Sequence, residues 1–183
     1  MLAVLRDLGW DVEGVDFDPA SVGLARSRGL KVHNGNLEDQ HLPGASFDAV
    51  VMSHLVEHVP DPGRLFGECR RLLRPGGRLV MSTPNADSLA HSLYRASWVA
   101  LDPPRHLHIF TPKSLCRLVE DAGFECVKWF TTIRAANFVF AASNAIRRTG
   151  RYGGAAAVGR VRNLSATAMQ GHVQSGGVDS PRT

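Results

Sequence analysis

Asp16 is the side chain whose type and position most clearly predict chemistry. It ends an apolar run, residues 12–16, and Asp18-Pro19 follows as the start of a helix. A carboxylate at the tip of a buried parallel strand, just before a helix, is the usual group that holds the hydroxyls of a nucleotide ribose. Because Asp18 is itself a good helix cap, Asp16 is left for a ligand. The pattern alone does not choose among nucleotides, since nicotinamide enzymes use the same device.

A second chemical pattern runs from His54 to His58, where the sequence HLVEH matches the H-x-x-E-H signature of one group of zinc peptidases. That chemistry needs both histidines on one face of a regular helix, with the glutamate beside a metal-bound water. Here an apolar strand pattern ends immediately upstream, and Pro60 and Pro62 interrupt any long helix downstream. A zinc hydrolase is therefore the less favoured alternative.

The elements that must position these residues alternate along the first 130 residues. The patterns predict helices over residues 1–8, from Asp18-Pro19 to Gly29, over 62–73 and from Thr111-Pro112 to Gly123. They predict strands over residues 12–16, Lys31–Asn34, Phe47–Ser53, 78–83 and 124–130, with Phe47–Ser53 buried on both faces. Residues 84–108 are predicted to be a long loop, and residues 135–148 fit either a strand or a helix.

This alternation predicts an α/β fold with a Rossmann-like, doubly wound and mainly parallel sheet. Ligands of such sheets bind at the carboxyl ends of the strands. The predicted ends carry polar or turn-forming residues at 16–17, 34–37, 53–58 and 83–85. We therefore expect one ligand site along this edge of the sheet.

Composition and charge exclude several other classes of function. The net charge is +4, but residues 147–183 hold six arginines and one acid, whereas residues 1–146 hold 15 basic and 16 acidic side chains. Since the positive charge belongs to a tail, nucleic-acid binding is not predicted. The apolar stretch 135–146 is too short to span a bilayer. No signal segment opens the chain, and three cysteines without metal or redox spacing predict reduced thiols in a cytoplasmic protein.

Several further segments recur in a specific order. Asn36-Leu37 follows the second short strand, and the later segments are SFD at 46–48, SHLVEHV at 53–59, LRPGGRLV at 73–80 and PN at 84–85. In this order and spacing they resemble the class I S-adenosylmethionine-dependent methyltransferases, most closely the small-molecule branch that includes the ubiquinone-biosynthesis O-methyltransferases. Trp98, the run PPRHLHIFTP at 103–112 and AGF at 122–124 are similar to one subgroup of that branch.

The resemblance implies a role for each matching position. Asp16 would hold the ribose hydroxyls, Phe17 would pack on the adenine, and Asn36 and Leu37 would contact the adenine edge; many relatives have an acid where this chain has Asn36. Ser53 and His54 would flank the methionine part of S-adenosylmethionine. The Pro75-Gly76-Gly77 turn would be structural, bringing the next strand in tightly.

Methyl transfer to a hydroxyl needs in-line positioning and a base, for which His58, His106 and His108 are the candidates. His58 is equally explained as a helix-start residue that packs or hydrogen-bonds locally. His106 and His108 alternate, so in an extended segment they share one face, where they line an acceptor pocket or bond to loop backbone. The acceptor is expected to be a small molecule of the phenolic, lipid-like or sugar class, and no feature predicts an oligomeric state.

The sequence departs from the family upstream of Asp16, where the family's first strand and glycine-rich turn have no counterpart. That strand normally lies between residues 12–16 and Phe47–Ser53. We therefore expect residues 1–148 to form a methyltransferase domain incomplete at its N-terminus, residues 149–183 to form a disordered basic tail, and S-adenosylmethionine to bind weakly or not at all. The alternatives are a non-catalytic remnant of the fold and, less favoured, an NAD-dependent oxidoreductase or the zinc hydrolase.

Overall fold

The computed structural model describes residues 1–152, and most elements lie where the patterns predict them. The strands are β1 (Glu13–Asp16), β2 (Lys31–Asn34), β3 (Phe47–Ser53) and β4 (Leu73–Ser82). The helices are α1 (Leu2–Asp7), α2 (Pro19–Ser27), α3 (Pro62–Leu72), α4 (Leu89–Tyr94), α5 (Pro112–Asp121) and α6 (Ala136–Thr149). The predicted tail lies outside the described residues from residue 153 onward, so both it and the domain boundary at residue 148 stay predictions.

The strands form two separate two-stranded parallel sheets. β1 pairs with β2 and aligns Asp16 with Asn34, while β3 pairs with β4 and aligns Ser53 with Ser82. Among the described residues, β1 and β3 therefore each have one paired edge and one unpaired edge. This agrees with the expectation of a parallel α/β sheet that is interrupted between residues 12–16 and Phe47–Ser53.

One compact unit, Met1–Pro84 with Phe110–Trp129, contains all four strands. Its main core packs the side chains of α3 and α5 against β3 and β4, with Phe66 and Val56 fully buried. Burying a side chain of the size of phenylalanine stabilises a fold by about 1.5–3 kcal/mol. These contacts hold the carboxyl ends of β3 and β4 in place.

The prediction that β3 is buried on both faces is wrong. Met52 is buried, but Val51 and its register partner Val80 are both exposed. The reason is that α3 and α5 cover one face of the β3–β4 sheet, as shown by the core cluster, and leave Val51 and Val80 on the surface.

Two helices begin as their capping residues predict. The carboxylate of Asp18 accepts hydrogen bonds from the backbone amides of Ala20 and Ser21, and Pro19 opens α2. Thr111 and Ser114 form a reciprocal capping box at the start of α5. Asp18 is therefore committed to α2, as the sequence predicts.

The second unit, Asn85–Ile109 with the chain from Phe130 onward, corrects the prediction of a long loop. Residues 84–108 include α4 and two 3-10 turns, and α6 settles the ambiguous stretch 135–148 as a helix. The rings of Tyr94 and Phe140 meet edge to face at 5.6 Å, and the Ser143 hydroxyl accepts a 3.0 Å bond from the Val99 amide. The sequence pattern does not predict α4, because a helix of six residues is too short to show a clear helical periodicity.

Residues 124–130, predicted to be a strand, are irregular. Gly123, with φ of +84°, turns the chain after α5 and brings Cys126 beside Cys116, with a Cα separation of 5.5 Å. The two cysteines form a disulfide, so the prediction of three reduced thiols is wrong for this pair. Cys69 is the free thiol, and burial raises its pKa to about 12.

Within residues 1–152, no helix has both the length and the apolar character needed to cross a membrane.

Candidate functional site

Asp16 lies at the exposed tip of β1 and is held there by its neighbours. Its backbone carbonyl accepts bonds from the Gly35 amide and the Asn34 side chain, both at 3.1 Å. Its Oδ1 accepts a 2.9 Å bond from the Asp18 amide. This turn uses one carboxylate oxygen, and Oδ2 accepts no hydrogen bond from the described residues. Asp16 is therefore a fixed acceptor at the edge where the sequence predicts a ligand.

The residues beside Asp16 provide an aromatic face and an amide. Phe17 is 71% exposed, which is unusual for a phenylalanine at a strand end. The Asn36 side-chain amide donates a 3.0 Å bond to the Asp39 carboxylate, an arrangement that leaves the Asn36 side-chain carbonyl as an acceptor. Leu37 begins a 3-10 turn and packs against the main core. Of the predicted contacts, Phe17 and Asn36 are accessible to a ligand, whereas Leu37 is half-buried.

Ser53 and His54 end β3 next to the end of β4. The Ser82 hydroxyl donates a 3.3 Å bond to the Ser53 hydroxyl, and the His54 amide donates a 2.9 Å bond to the Ser82 carbonyl. His54 has φ of +52°, in the left-handed region that few non-glycine residues adopt. The strand thus ends in an abrupt turn at His54.

The turn places a fully buried carboxylate behind His54. Glu57 is 0% exposed, and its Oε1 lies 3.1 Å from His54 Nδ1 while its Oε2 accepts a 2.9 Å bond from the Thr83 hydroxyl. Burial acts to raise the pKa of Glu57, but the bonds from His54, its own backbone and Thr83 outweigh it, and the pKa is lowered. The bond to Glu57 raises the pKa of His54. The two side chains therefore stabilise each other's charged forms.

The same geometry argues against the zinc signature. Val56–His58 is a single 3-10 turn, and His54 stands before it with a left-handed backbone. The two histidines are therefore not presented by one regular helix, and Glu57 is directed at His54 rather than at a shared metal-bound water.

The three predicted bases fall in different units. His58 ends the 3-10 turn in the first unit and is half-buried. His106 and His108 belong to the second unit, where both are half-buried. His106 Nδ1 lies 2.6 Å from the Ala100 carbonyl, which is the loop-backbone bond that the sequence offered as an alternative. Their catalytic role stays a prediction.

Sequence reasoning missed the partnership of Glu57 with Thr83 and His54. The sequence patterns place Glu57 only in the zinc signature and Thr83 only at a strand end. A usable signal was the single charged residue in the otherwise apolar run LVEHV, since a buried carboxylate requires partners nearby.

Comparisons with known proteins agree on one family. Residues 1–128 match the family model described as a methyltransferase domain. The chain is 36% identical over 124 residues to a probable S-adenosylmethionine-dependent methyltransferase of Mycolicibacterium smegmatis, covering 67% of this chain and 46% of that one. It is also 36% identical over 132 residues to a ubiquinone biosynthesis O-methyltransferase of Cereibacter sphaeroides, covering 66% and 53%. The chain thus spans about half the length of these curated relatives.

Solved structures show the same similarity. A S-adenosylmethionine-dependent methyltransferase of Thermotoga maritima has 28% identity and a TM-score of 0.55, covering 62% of this chain and 55% of that one. A methyltransferase of Archaeoglobus fulgidus, with 21% identity, a TM-score of 0.56 and coverage of 82% and 74%, supports the fold alone.

Proposed function

This chain belongs to the methyltransferase domain family, and on that basis we propose that it binds S-adenosylmethionine at the carboxyl ends of its strands and transfers the methyl group to a small-molecule acceptor. The observation that carries the proposal is Asp16, an exposed carboxylate fixed at the tip of β1 by bonds to both its backbone and its side chain. A charged acceptor held in this position suits a ribose diol.

The residues present fit this cofactor by their chemistry. Asp16 offers a carboxylate oxygen to the ribose, Phe17 offers an exposed aromatic face to the adenine, and the carbonyl of Asn36 can accept from the adenine amino group. We assign Leu37 to the adenine edge, where its side chain shapes the pocket from the core side. We assign Ser53 and His54, at the end of β3, to the methionine end.

S-adenosylmethionine supplies an electrophilic methyl group with a good leaving group already in place. The protein then has to position the acceptor and, for a hydroxyl acceptor, to take up its proton. His58, His106 and His108 remain candidates for that base. The relatives named as ubiquinone O-methyltransferases support an oxygen acceptor, and the aromatic and histidine content of residues 84–110 supports a small phenolic, lipid-like or sugar compound. We place the reaction in the cytoplasm.

The test separates ligand binding from helix capping. Asp16→Asn keeps the Oδ1 that accepts from the Asp18 amide but removes the charge, so we expect S-adenosylhomocysteine to bind at least about tenfold more weakly with an unchanged urea midpoint. Asp18→Ala, the matched control, removes the cap of α2 and should lower the urea midpoint without a comparable loss of affinity. Titrations followed by NMR chemical shifts detect the weak binding expected for this chain.

Equal affinity of the wild-type and Asp16→Asn chains would contradict the role of Asp16. The absence of any saturable shift at millimolar ligand would contradict cofactor binding by this chain.

A second candidate, a non-catalytic domain that kept the fold, is favoured by one observation. β1 and β3, which carry the two halves of the proposed cofactor site, are not joined through a sheet in the described residues. S-adenosylhomocysteine binding without methyl transfer to any acceptor would favour this candidate.

A further inference from the structure

Two residues that the proposed function does not yet use, Glu57 and Thr83, form a cluster with His54. The three side chains come from the end of β3, the 3-10 turn after it and the end of β4, all within one compact unit. Thr83 bonds one oxygen of the Glu57 carboxylate and His54 approaches the other. They form a chain of contacts that leads from a buried carboxylate to the surface.

Burial differs sharply along this chain of contacts. The Glu57 side chain is 1% exposed, whereas that of His54 is 63% exposed. A buried carboxylate without partners is strongly unfavourable, so Glu57 requires both bonds to stay ionised. Glu57 thus holds the exposed imidazole of His54 in place, because moving Glu57 would break its hydrogen bonds to the rest of the protein.

This arrangement fixes which nitrogen of His54 carries the proton. An ionised carboxylate only accepts hydrogen bonds, so Nδ1 must donate to Glu57. In the neutral imidazole the other nitrogen, Nε2, is then unprotonated and able to accept a proton. A carboxylate that orients an imidazole in this way also stabilises the imidazolium formed after proton uptake.

The backbone at His54 gives an independent indication of function. A non-glycine residue held at positive φ is unfavourable by about 1–3 kcal/mol, and such residues cluster at functional sites. His41 shows that the conformation alone is not diagnostic, since it is exposed and has φ of +50°, and the carboxylate that interacts with it, Glu68, is half-buried and bonded to Arg71. The combination of strain with the buried Glu57 is what distinguishes His54.

We propose that His54 is the general base of the methyl transfer, with Glu57 and Thr83 as its positioning residues; this inference rests on the proposed function. The acceptor hydroxyl gives its proton to Nε2 of His54 while its oxygen forms the new bond to the methyl carbon. The bond between that carbon and the cofactor sulfur breaks with its electron pair remaining on sulfur, and the imidazolium later releases the proton to water. His54 thus has two roles at this strand end, flanking the methionine end of the cofactor and taking the proton of the acceptor, whereas Ser53 is assigned to the cofactor alone.

Within the first unit, two further side chains face the His54–Glu57 pair. Thr83, from the end of β4, is uncharged and bonds Glu57. A ring nitrogen of His58 lies within 4.8 Å of a Glu57 carboxylate oxygen, so His58 is a titratable neighbour that a test must separate from His54.

The first measurement needs neither cofactor nor acceptor. In long-range proton–nitrogen spectra of the full chain, we expect neutral His54 to carry its proton on Nδ1 and to have a pKa above the ordinary 6.5. Glu57→Gln should bring that pKa down to the ordinary value or below. A neutral His54 protonated on Nε2, or a pKa unchanged in Glu57→Gln, would overturn the inference while leaving cofactor binding untouched.

The second measurement uses a variant that removes only Nε2. The amide of His54→Asn reaches Glu57 in place of Nδ1, and asparagine tolerates the left-handed backbone. We expect this variant, assayed at saturating cofactor, to lower methyl transfer to the catechol probe 3,4-dihydroxybenzoate by about 10²–10⁴-fold, a loss that weaker cofactor binding does not account for. His41→Asn is the matched control, since it makes the same change at a left-handed histidine, and it should retain full turnover.

Full turnover by His54→Asn, or loss of turnover by His58→Asn alone, would overturn the role of His54. A wild-type chain that binds cofactor but does not methylate the catechol would overturn the role of His54 with this class of acceptor. A wild-type chain that binds no cofactor would instead overturn the proposed function, which the spectra of His54 do not test.

Discussion

Asp16 and Glu57 are both carboxylates near strand ends, but their burial gives them different functions. Asp16 is exposed and uses one oxygen in a local turn, so the other oxygen suits a ligand. Glu57 is buried and uses both oxygens within the protein, so in the proposed mechanism it acts on a ligand only through His54. The two residues have similar positions relative to the strands, and the difference in burial is what distinguishes their proposed roles.

A prediction about pH follows from the pair His54–Glu57. The lowered pKa of Glu57 stabilises the fold above its ordinary value of 4.5, and this contribution is lost as the pH falls through the folded-state pKa. The raised pKa of His54 stabilises the fold fully below 6.5, and this contribution is lost as the pH rises through its folded-state pKa. The unfolding free energy of the wild type should exceed that of Glu57→Gln most between about pH 4.5 and 6.5.

Urea unfolding across a pH series measures this difference. The control is Asp18→Asn, because the hydrogen bonds from Ser21 and Ala20 that lower the pKa of Asp18 come from groups that do not titrate in this range. Its effect should weaken at acid pH and stay level through pH 6.5 and above. A Glu57→Gln effect that also stays level at pH 8 would contradict the coupling to His54.

At the residue scale, the sequence predicts which side chains carry chemistry better than it predicts which side chains contact them. The roles of Asp16 and of the helix cap Asp18 are predicted from local features, because both residues lie between a predicted strand and Pro19. The contact between Glu57 and Thr83 joins residues 26 apart in sequence, and nothing local marks it. Such contacts become visible only when the strands that carry them are paired.

At the scale of elements, Pro75–Gly77, predicted to be a turn before the strand, lies inside β4 at a register shift, where it decides how closely the rest of β4 approaches β3. A Cβ on Gly77 would stand 2.9 Å from the Arg74 carbonyl oxygen and 3.2 Å from that of Asp48. Gly77→Ala should therefore lower the unfolding free energy by about 1–3 kcal/mol, because backbone would have to move. Denaturant unfolding monitored by circular dichroism measures this change.

Gly67 is the matched control for that substitution. It lies within α3, and a Cβ there meets nothing within 4 Å outside the helix itself. Gly67→Ala should leave the stability unchanged or raise it by up to about 1 kcal/mol through helix propensity. If Gly77→Ala and Gly67→Ala changed the unfolding free energy equally, close packing would not explain why residue 77 is a glycine.

Clear capping signals explain why the sequence predicts certain helices correctly. α2, α3 and α5 begin with a capping residue followed by proline, and all three lie where expected. Residues 124–130 have an alternating pattern but no strand partner among the described residues, so the pattern alone did not produce a strand. An apolar alternation forms a strand only when a neighbouring edge supplies its hydrogen bonds.

At the scale of the whole molecule, the separation of the two sheets bears directly on affinity. Asp16 ends β1 and Ser53 ends β3, and neither strand bonds to the other or to a common partner among the described residues. Residues that are not held at a fixed spacing must be ordered when the ligand binds, which weakens binding.

We therefore expect this chain to bind S-adenosylmethionine with a dissociation constant well above micromolar. Isothermal titration calorimetry on this chain measures the dissociation constant directly. Micromolar affinity would show that the two strand ends are already held at the spacing that the cofactor needs, and would contradict the expectation.

The left-handed backbone at His54 has a consequence for how stability and activity trade against each other in this chain. Glycine is the residue that best tolerates φ of +52°, so replacing His54 by glycine would relax the backbone but would also leave the Glu57 carboxylate without its imidazole. The imidazole therefore has opposing effects on folding, since it stabilises the buried carboxylate while its own backbone is strained. Under the proposed function the same side chain also supports turnover, so its replacement would change stability and activity together.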